Sequence, residues 1–343
     1  MITIAPTPLS SHATPAPSPF AGRPLLDSLL HPNAVVLMTE IVMALLLVAT
    51  IIVWALARWK PAWAGKELKS RVKSWWVMVA LFILAIAIDW RLSIVFMAFM
   101  SFLALKEFFT ISHLRIADRR AILLAYLAIP VQYWWVYDRW YGLFIIFIPV
   151  YMFLVIAARL VLTGETQRYM TSAAKIHWGL MAFVFGLSHM AFLLVLPPLQ
   201  GFEPGGRGLL FYVIFLAEFN DVLQYIFGKS FGKRKLAPTV SPGKTWAGLL
   251  GGLVCTTALA VALRFLTPLT IGESLFAGFL IALLGPVGDL TMSAIKRDAG
   301  VKDFGNLIPG HGGVLDRVDS LCFSVPVFFH FVTWLYYPFP LVK

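Results

Sequence analysis

The sequence predicts an all-α, polytopic integral membrane protein of about ten transmembrane helices, with a polar active-site cavity facing the cytoplasm. Three observations carry that reading. First, 59% of the 343 residues are hydrophobic and only 13% are charged, with a mean hydropathy of +0.81. Soluble domains lie nearer ~45–50% apolar. Second, apolar runs able to cross a bilayer recur along the chain. They fall near 35–57, 75–89, 91–109, 120–138, 141–162, 177–198, 208–228, 246–266, 272–291 and 320–337. Third, 22 of the 28 Lys and Arg residues fall beside the ends of alternate spans, after the first, third, fifth, seventh and ninth. Cytoplasmic loops are enriched in Lys and Arg. The alternation therefore puts both termini outside and every basic loop in the cytoplasm, as in a multi-pass protein of the inner membrane. A nucleic-acid binder would gather its net charge of +11 into one patch.

Residues 1–33 are rich in Pro, Ser, Ala and Thr, and read as a disordered tail. They lack the basic segment and apolar core of a cleaved leader. Cys255 and Cys322 both lie in apolar runs, which argues against a disulfide framework or a zinc site. Residues 34–200 read as an N-terminal set of helices with little specific polar chemistry. Glu40, Asp89 and His189 there suit helix ends or buried groups bonded to a neighbour. Trp75-Trp76 and Tyr133-Trp134-Trp135 suit interfacial belts, and Lys66, Lys69, Arg71 and Lys73 suit contact with anionic headgroups.

Residues 201–343 read as the catalytic part, because the chemistry begins at the seventh span. Glu218, Asp221 and Tyr225 share one helix face there. A carboxylate as deep as Asp221 needs a partner or a metal. The following loop holds Ser241-Pro242-Gly243-Lys244-Thr245 just before the eighth span. Pro238 stands where a P-loop needs glycine, so that motif is rejected. A helix N-terminus with a lysine and hydroxyls can still hold phosphate oxygens, through Ser241, Lys244 and Thr245.

The densest polar stretch runs from Ser293 to Asp319. With Asp289 just upstream it combines Lys296, Arg297, Lys302 and Arg317 with Asp298, Asp303, Asp316 and Asp319, and with His311-Gly312-Gly313. Cations suit phosphate oxygens and carboxylates suit a hard divalent ion. Asp289, Ser293 and Lys296 share a face if the ninth helix continues past the membrane, and Asp316 and Asp319 share another. The glycines leave room for backbone to approach a phosphate. The pattern reads as a nucleotide-phosphate site at the mouth of a membrane protein.

This stretch resembles the signature of the phosphatidate cytidylyltransferases, or CDP-diglyceride synthetases. Ser293, Lys296-Arg297, Lys302-Asp303, Pro309, His311-Gly312-Gly313 and Asp316-Arg317-x-Asp319 fill the family's positions. Asp221 to Tyr225, Gly228-Lys229, Gly232-Lys233 and Ser241 to Trp246 resemble the same family. The resemblance covers about the last 140 residues. It implies transfer of CMP from CTP to phosphatidic acid, giving CDP-diacylglycerol and pyrophosphate. It further implies a magnesium ion held by Asp289, Asp316 and Asp319, potassium as a candidate second ion, and a homodimer. Lys296, Arg297, Lys302 and Arg317 would grip triphosphate and lipid phosphate. Ser293 would complete the substrate site, with His311 as a phosphate contact or a turn-stabilising hydrogen bond, and Asp221 joining the metal site or orienting a ligand; Asp316→Asn would end turnover with the fold intact. Ala247 stands where many members have Glu, and Val222-Leu223 where many have a small polar pair. Two rivals stay open: a CTP-dependent cytidylyltransferase or kinase for another lipid, and an anion transporter. The transporter would spread its charges along a mid-membrane path, with an internal repeat that this chain does not show.

Overall fold

The computed structural model describes residues 34–59 and 66–337; the expected N-terminal tail lies outside them. Ten helices follow one another: α1 Ala34–Trp59, α2 Lys66–Ile88, α3 Trp90–Ile111, α4 Arg119–Tyr137 and α5 Tyr141–Val161. Then come α6 Tyr169–Val195, α7 Gly205–Phe231, α8 Trp246–Ala262, α9 Ile271–Asp298 and α10 Leu315–Tyr336. Each of the ten apolar runs is a helix. Eight are long and apolar enough to cross a membrane, and α8 is a shorter apolar helix of 17 residues. The chain is thus an all-α polytopic membrane protein.

The departures have local causes. The second helix begins at Lys66, nine residues before the apolar run, because Lys, Glu and Arg are good helix formers and no breaker intervenes. Helix α5 carries a π-helical stretch, Phe147–Met152, around Pro149, whose missing N–H disrupts the regular ladder. A second π stretch, Leu180–Gly186, interrupts α6. The loop after α7, expected without strands, folds into a small antiparallel hairpin, β1 Lys235–Ala237 and β2 Ser241–Thr245.

Asp89 is a helix end: it caps α3 by accepting from the Arg91 N–H at 2.6 Å. His189 is fully buried and bonded to the Phe185 carbonyl within its own helix. Tyr133 is not an interfacial anchor. It is buried, with its hydroxyl 2.7 Å from Ser101 Oγ.

One apolar core runs through both halves of the chain, with Phe144, Phe183, Tyr212, Phe328 and Phe329 fully enclosed. Helices α7 and α8 pack closely because glycine faces the contact. A Cβ on Gly248 would meet the Gln224 carbonyl at 2.6 Å. Just below, Asn220 ties three helices together. Its Nδ2 donates to Ala282 O, and Thr256 donates to its Oδ1. The next residue of α7 is Asp221.

The basic loops meet at one end of the bundle. Ser74 donates to Pro309 O, Lys175 to Ser112 O, and Arg115 to the carbonyls of Glu165 and Gln167. Arg297 donates to Val240 O, and Lys244 pairs with Asp289. At the other end Tyr336 reaches Pro268 and Tyr337 reaches Pro197.

Candidate active site

At the basic end, helices α7, α9 and α10 enclose a polar cavity of about 150 Å³. It is lined by Glu218 and Asp221 from α7, Asp289 and Lys296 from α9, Asp303 from the loop, and Asp316, Arg317 and Asp319 from α10. Helical spacing explains the set. Positions three, four and seven apart fall on one face, so each helix presents its polar pair inward. Glycine lets α9 and α10 approach: a Cβ on Gly288 would meet the Asp319 carbonyl at 2.5 Å.

The carboxylates differ in what they hold. Asp316 is the most committed. Its Oδ1 pairs with Lys296 Nζ at 2.7 Å, and its Oδ2 accepts from the N–H groups of Phe304 and Gly313 at 3.0 and 2.9 Å. Asp289 pairs with Lys244 Nζ at 2.6 Å and accepts from Ser293 Oγ. Asp319 accepts from the Ser320 N–H, and Ser320 Oγ in turn donates to Asp221. Asp221, Asp289 and Asp319 feel one another's charge across the cavity.

The family resemblance implies Asp289, Asp316 and Asp319 as ligands of one metal ion. Among the described residues, no three His, Cys, Asp or Glu side chains are gathered so as to hold one ion. Both Asp316 oxygens are occupied by Lys296 and the turn, so Asp316 is here the buried anchor of the loop. The donor set still fits a cation, because six carboxyl groups face two cations around the cavity. Asp221 and Asp319 each accept one hydrogen bond, while Asp289 and Asp316 are held by lysines.

Other expected site residues lie around the rim. Arg297 is outside the cavity, donating to the carbonyls of Val240 and Val301, where it fastens the hairpin to the end of α9. Lys302 is exposed and does not line the cavity. Ser241 begins β2, and Thr245 spends its hydroxyl oxygen as the cap of α8, accepting from the Gly248 N–H at 3.1 Å. Of that segment only Lys244 reaches a cavity residue. His311 stands edge-on to Trp75, with ring centres 6.0 Å apart and its Nδ1 buried without a partner. Burial and the nearby charges of Arg317 and Arg71 hold its pKa below the usual histidine value, so at neutral pH it is an uncharged ring.

Arg71 and the pair Trp75-Trp76 of α2 differ from expectation, since each meets the protein itself. Ser74 and Trp75 dock on the Pro309-Gly310-His311 turn, and the Arg71 stem lies against Gly310. Trp76 donates to Thr50 of α1. This face therefore covers the signature loop.

The glycines of that loop make room for carboxylates of the chain itself. Gly312 has φ +82°, and a Cβ there would meet Asp316 Oδ2 at 2.7 Å. A Cβ on Gly313 would collide with Glu107 Oε2. Glu107, on α3, is the site-region residue that sequence reasoning missed. A lone glutamate near the end of an apolar helix reads as an ordinary helix end, and its partners lie more than 200 residues away.

Comparison with known proteins agrees with this geometry. The model of the cytidylyltransferase family matches residues 69–335. The chain is 42% identical over 295 residues to the uncharacterized protein YnbB of Escherichia coli (strain K12), a match covering 86% of this chain and 97% of that one. It is 48% identical over 132 residues to the phosphatidate cytidylyltransferase of Haemophilus influenzae, covering 37% of this chain and 46% of the relative. It is 46% identical over 147 residues to that of Pseudomonas aeruginosa, covering 40% and 54%. The chain thus spans about half the length of those two phosphatidate enzymes. With a family match that takes in most of its length, and with Lys296, Asp303, Asp316, Arg317 and Asp319 of its signature around one cavity, the chain belongs to the cytidylyltransferase family of membrane-embedded nucleotidyltransferases.

Proposed function

We propose that the protein transfers CMP from CTP to phosphatidic acid, releasing pyrophosphate and leaving CDP-diacylglycerol in the membrane. One observation carries the reading: acidic and basic residues of a single family signature line one cavity at the membrane end where the basic loops meet. A lipid phosphate is already an anionic nucleophile near neutral pH. One of its oxygens bonds to the α-phosphorus of CTP, and the bond from that phosphorus to the β-phosphate bridge breaks. The electron pair leaves on pyrophosphate, so no strong general base is required. The barrier is the approach of two polyanions, and fixed positive charge in an enclosed site lowers it.

Lys296, Arg317 and Lys244 supply that charge from three elements. Ligand pockets for whole small molecules run to about 300–1,000 Å³. The cavity of about 150 Å³ suits phosphate groups, with cytidine and the acyl chains outside it. Asp221 and Asp319 would hold magnesium, and Asp289 would join them on leaving Lys244, because no three carboxylates among the described residues are gathered on one ion as they stand. When bound, magnesium supplies charge neutralisation on the triphosphate and on the departing pyrophosphate. Potassium as a second ion, a homodimeric assembly and a cytoplasm-facing site in the inner membrane belong to the same proposal, through the family resemblance and the basic loops.

The test is to incubate the purified protein with labelled CTP, magnesium and a panel of lipid phosphates. CMP should appear on phosphatidic acid with an equal release of pyrophosphate. Asp289→Asn should lower that turnover by about 100-fold while the protein still folds. Label transfer only to a different lipid phosphate would change the acceptor. Release of CDP in place of pyrophosphate would make the protein a kinase.

A further inference from the structure

We infer that Glu107 is a positioning residue of the active site, contributed by the N-terminal half of the chain. This rests on the reading of the cavity as the transferase site, and adds a residue that the signature does not contain. Glu107 Oε1 accepts from the Val314 N–H at 3.0 Å, and Oε2 accepts from the Leu315 N–H at 2.8 Å. These amides open the short turn Leu315–Val318 that begins α10. The first N–H groups of a helix have no partner within it, and negative charge is favoured beside them. Glu107 thus caps α10 from another helix, one residue before Asp316 and four before Asp319.

The neighbouring glycines fit this role. A Cβ on Gly305 would meet Glu107 Oε1 at 2.9 Å, and one on Gly313 would collide with Oε2. The chain therefore narrows on both sides of the carboxylate. With Asp316 taking the Gly313 N–H, three consecutive amides, those of Gly313, Val314 and Leu315, are satisfied by two protein carboxylates. The turn is consequently filled by the protein's own acid groups. Its function is to fix Asp316, Arg317 and Asp319 relative to α3, and the cavity side chains do the work on phosphate.

The experiment compares Glu107→Gln, Glu107→Asp and Ser172→Ala with the wild type. Glu107→Gln loses the charge and turns one acceptor into a donor aimed at an N–H. A displacement of about 1 Å at a reacting group can cost around 100-fold. The expected result for Glu107→Gln is a 10- to 100-fold fall in kcat for pyrophosphate release per folded molecule, with KM for CTP within about threefold. Glu107→Asp keeps the charge but is one methylene short, and should fall between the two. The Val314 and Leu315 amides should exchange hydrogen faster in Glu107→Gln. Ser172→Ala, which loosens a contact elsewhere at the same end, should lower the melting temperature and leave kcat per folded molecule unchanged.

Wild-type kcat in Glu107→Gln, or unaltered exchange at residues 314 and 315, would overturn the assignment. So would a loss of activity that only tracks the loss of folded protein in all three variants. If the wild type itself moves no CMP from CTP, the proposed function fails, and the exchange measurement still decides the contact.

Discussion

Lys296 and Asp316 show how one ion pair can serve both structure and chemistry. Their side chains are only 12% and 5% exposed, and Asp316 takes two backbone amides as well. Removing one member of a buried pair leaves the other charge without compensation. Lys296→Met should therefore cost about 3 kcal/mol of stability in a denaturant titration. Lys302→Met, at an exposed position, should change stability by less than about 0.5 kcal/mol. Equal effects would remove Lys296 from the anchor. The same argument revises the expectation for Asp316→Asn, which must lose the loop's anchor along with any turnover. Residue types were legible in the sequence here: cations and carboxylates beside a bilayer announced chemistry. Which carboxylate was already satisfied was not, because the Phe304 and Gly313 amides turn toward Asp316 only when the loop closes.

At the scale of an element, the loop between α3 and α4 shows how a basic end is held together. Asp118 is fully buried and accepts from the Arg115 backbone and guanidinium, and from Ser172 at 2.6 Å. Burial alone would raise its pKa. The hydrogen bonds from Arg115 and Ser172 outweigh that and hold it below the ordinary 3.8. A lowered carboxyl pKa gives stability that is present above the unfolded value and lost as pH falls through the folded one. His311 is also held low, so its contribution is present above about 6.5 and lost as pH falls below it. Thermal unfolding should therefore show stability declining first below about pH 6.5 and again below about pH 4. Asp118→Asn should lower the melting temperature at pH 7 and flatten the second decline. An acid profile identical to wild type would exclude the clamp. The helices themselves were readable from hydropathy. The hairpin after α7 was not, because Arg297 fixes it through a contact 57 residues away.

Taken whole, the molecule gathers its basic loops at one end, around the cavity. That arrangement suits an inner membrane with the cavity facing the cytoplasm, and an impermeant thiol reagent can test it. Cysteine placed at exposed Lys302 should stay unlabelled in intact cells and become labelled in opened ones. Cysteine at exposed Glu203, in the loop of the opposite end, should be labelled in both. Labelling of position 302 from outside would invert the topology. A membrane also explains the exposed apolar side chains of α1, such as Ile51 and Trp54 at 63% and 72% exposure. Those side chains have lipid as their partner.

The sequence by itself determined the helices, the end of the bundle that carries charge, and the family, since hydropathy, charge alternation and a spaced motif are local properties of the chain. Only the tertiary structure decided which charges compensate one another. Ion pairs and backbone amides meet across helices far apart in sequence. No periodicity could pair Glu107 with Val314 and Leu315, seat α2 on the His311 turn, or give Asp316 to Lys296 while leaving Asp221 and Asp319 facing the cavity.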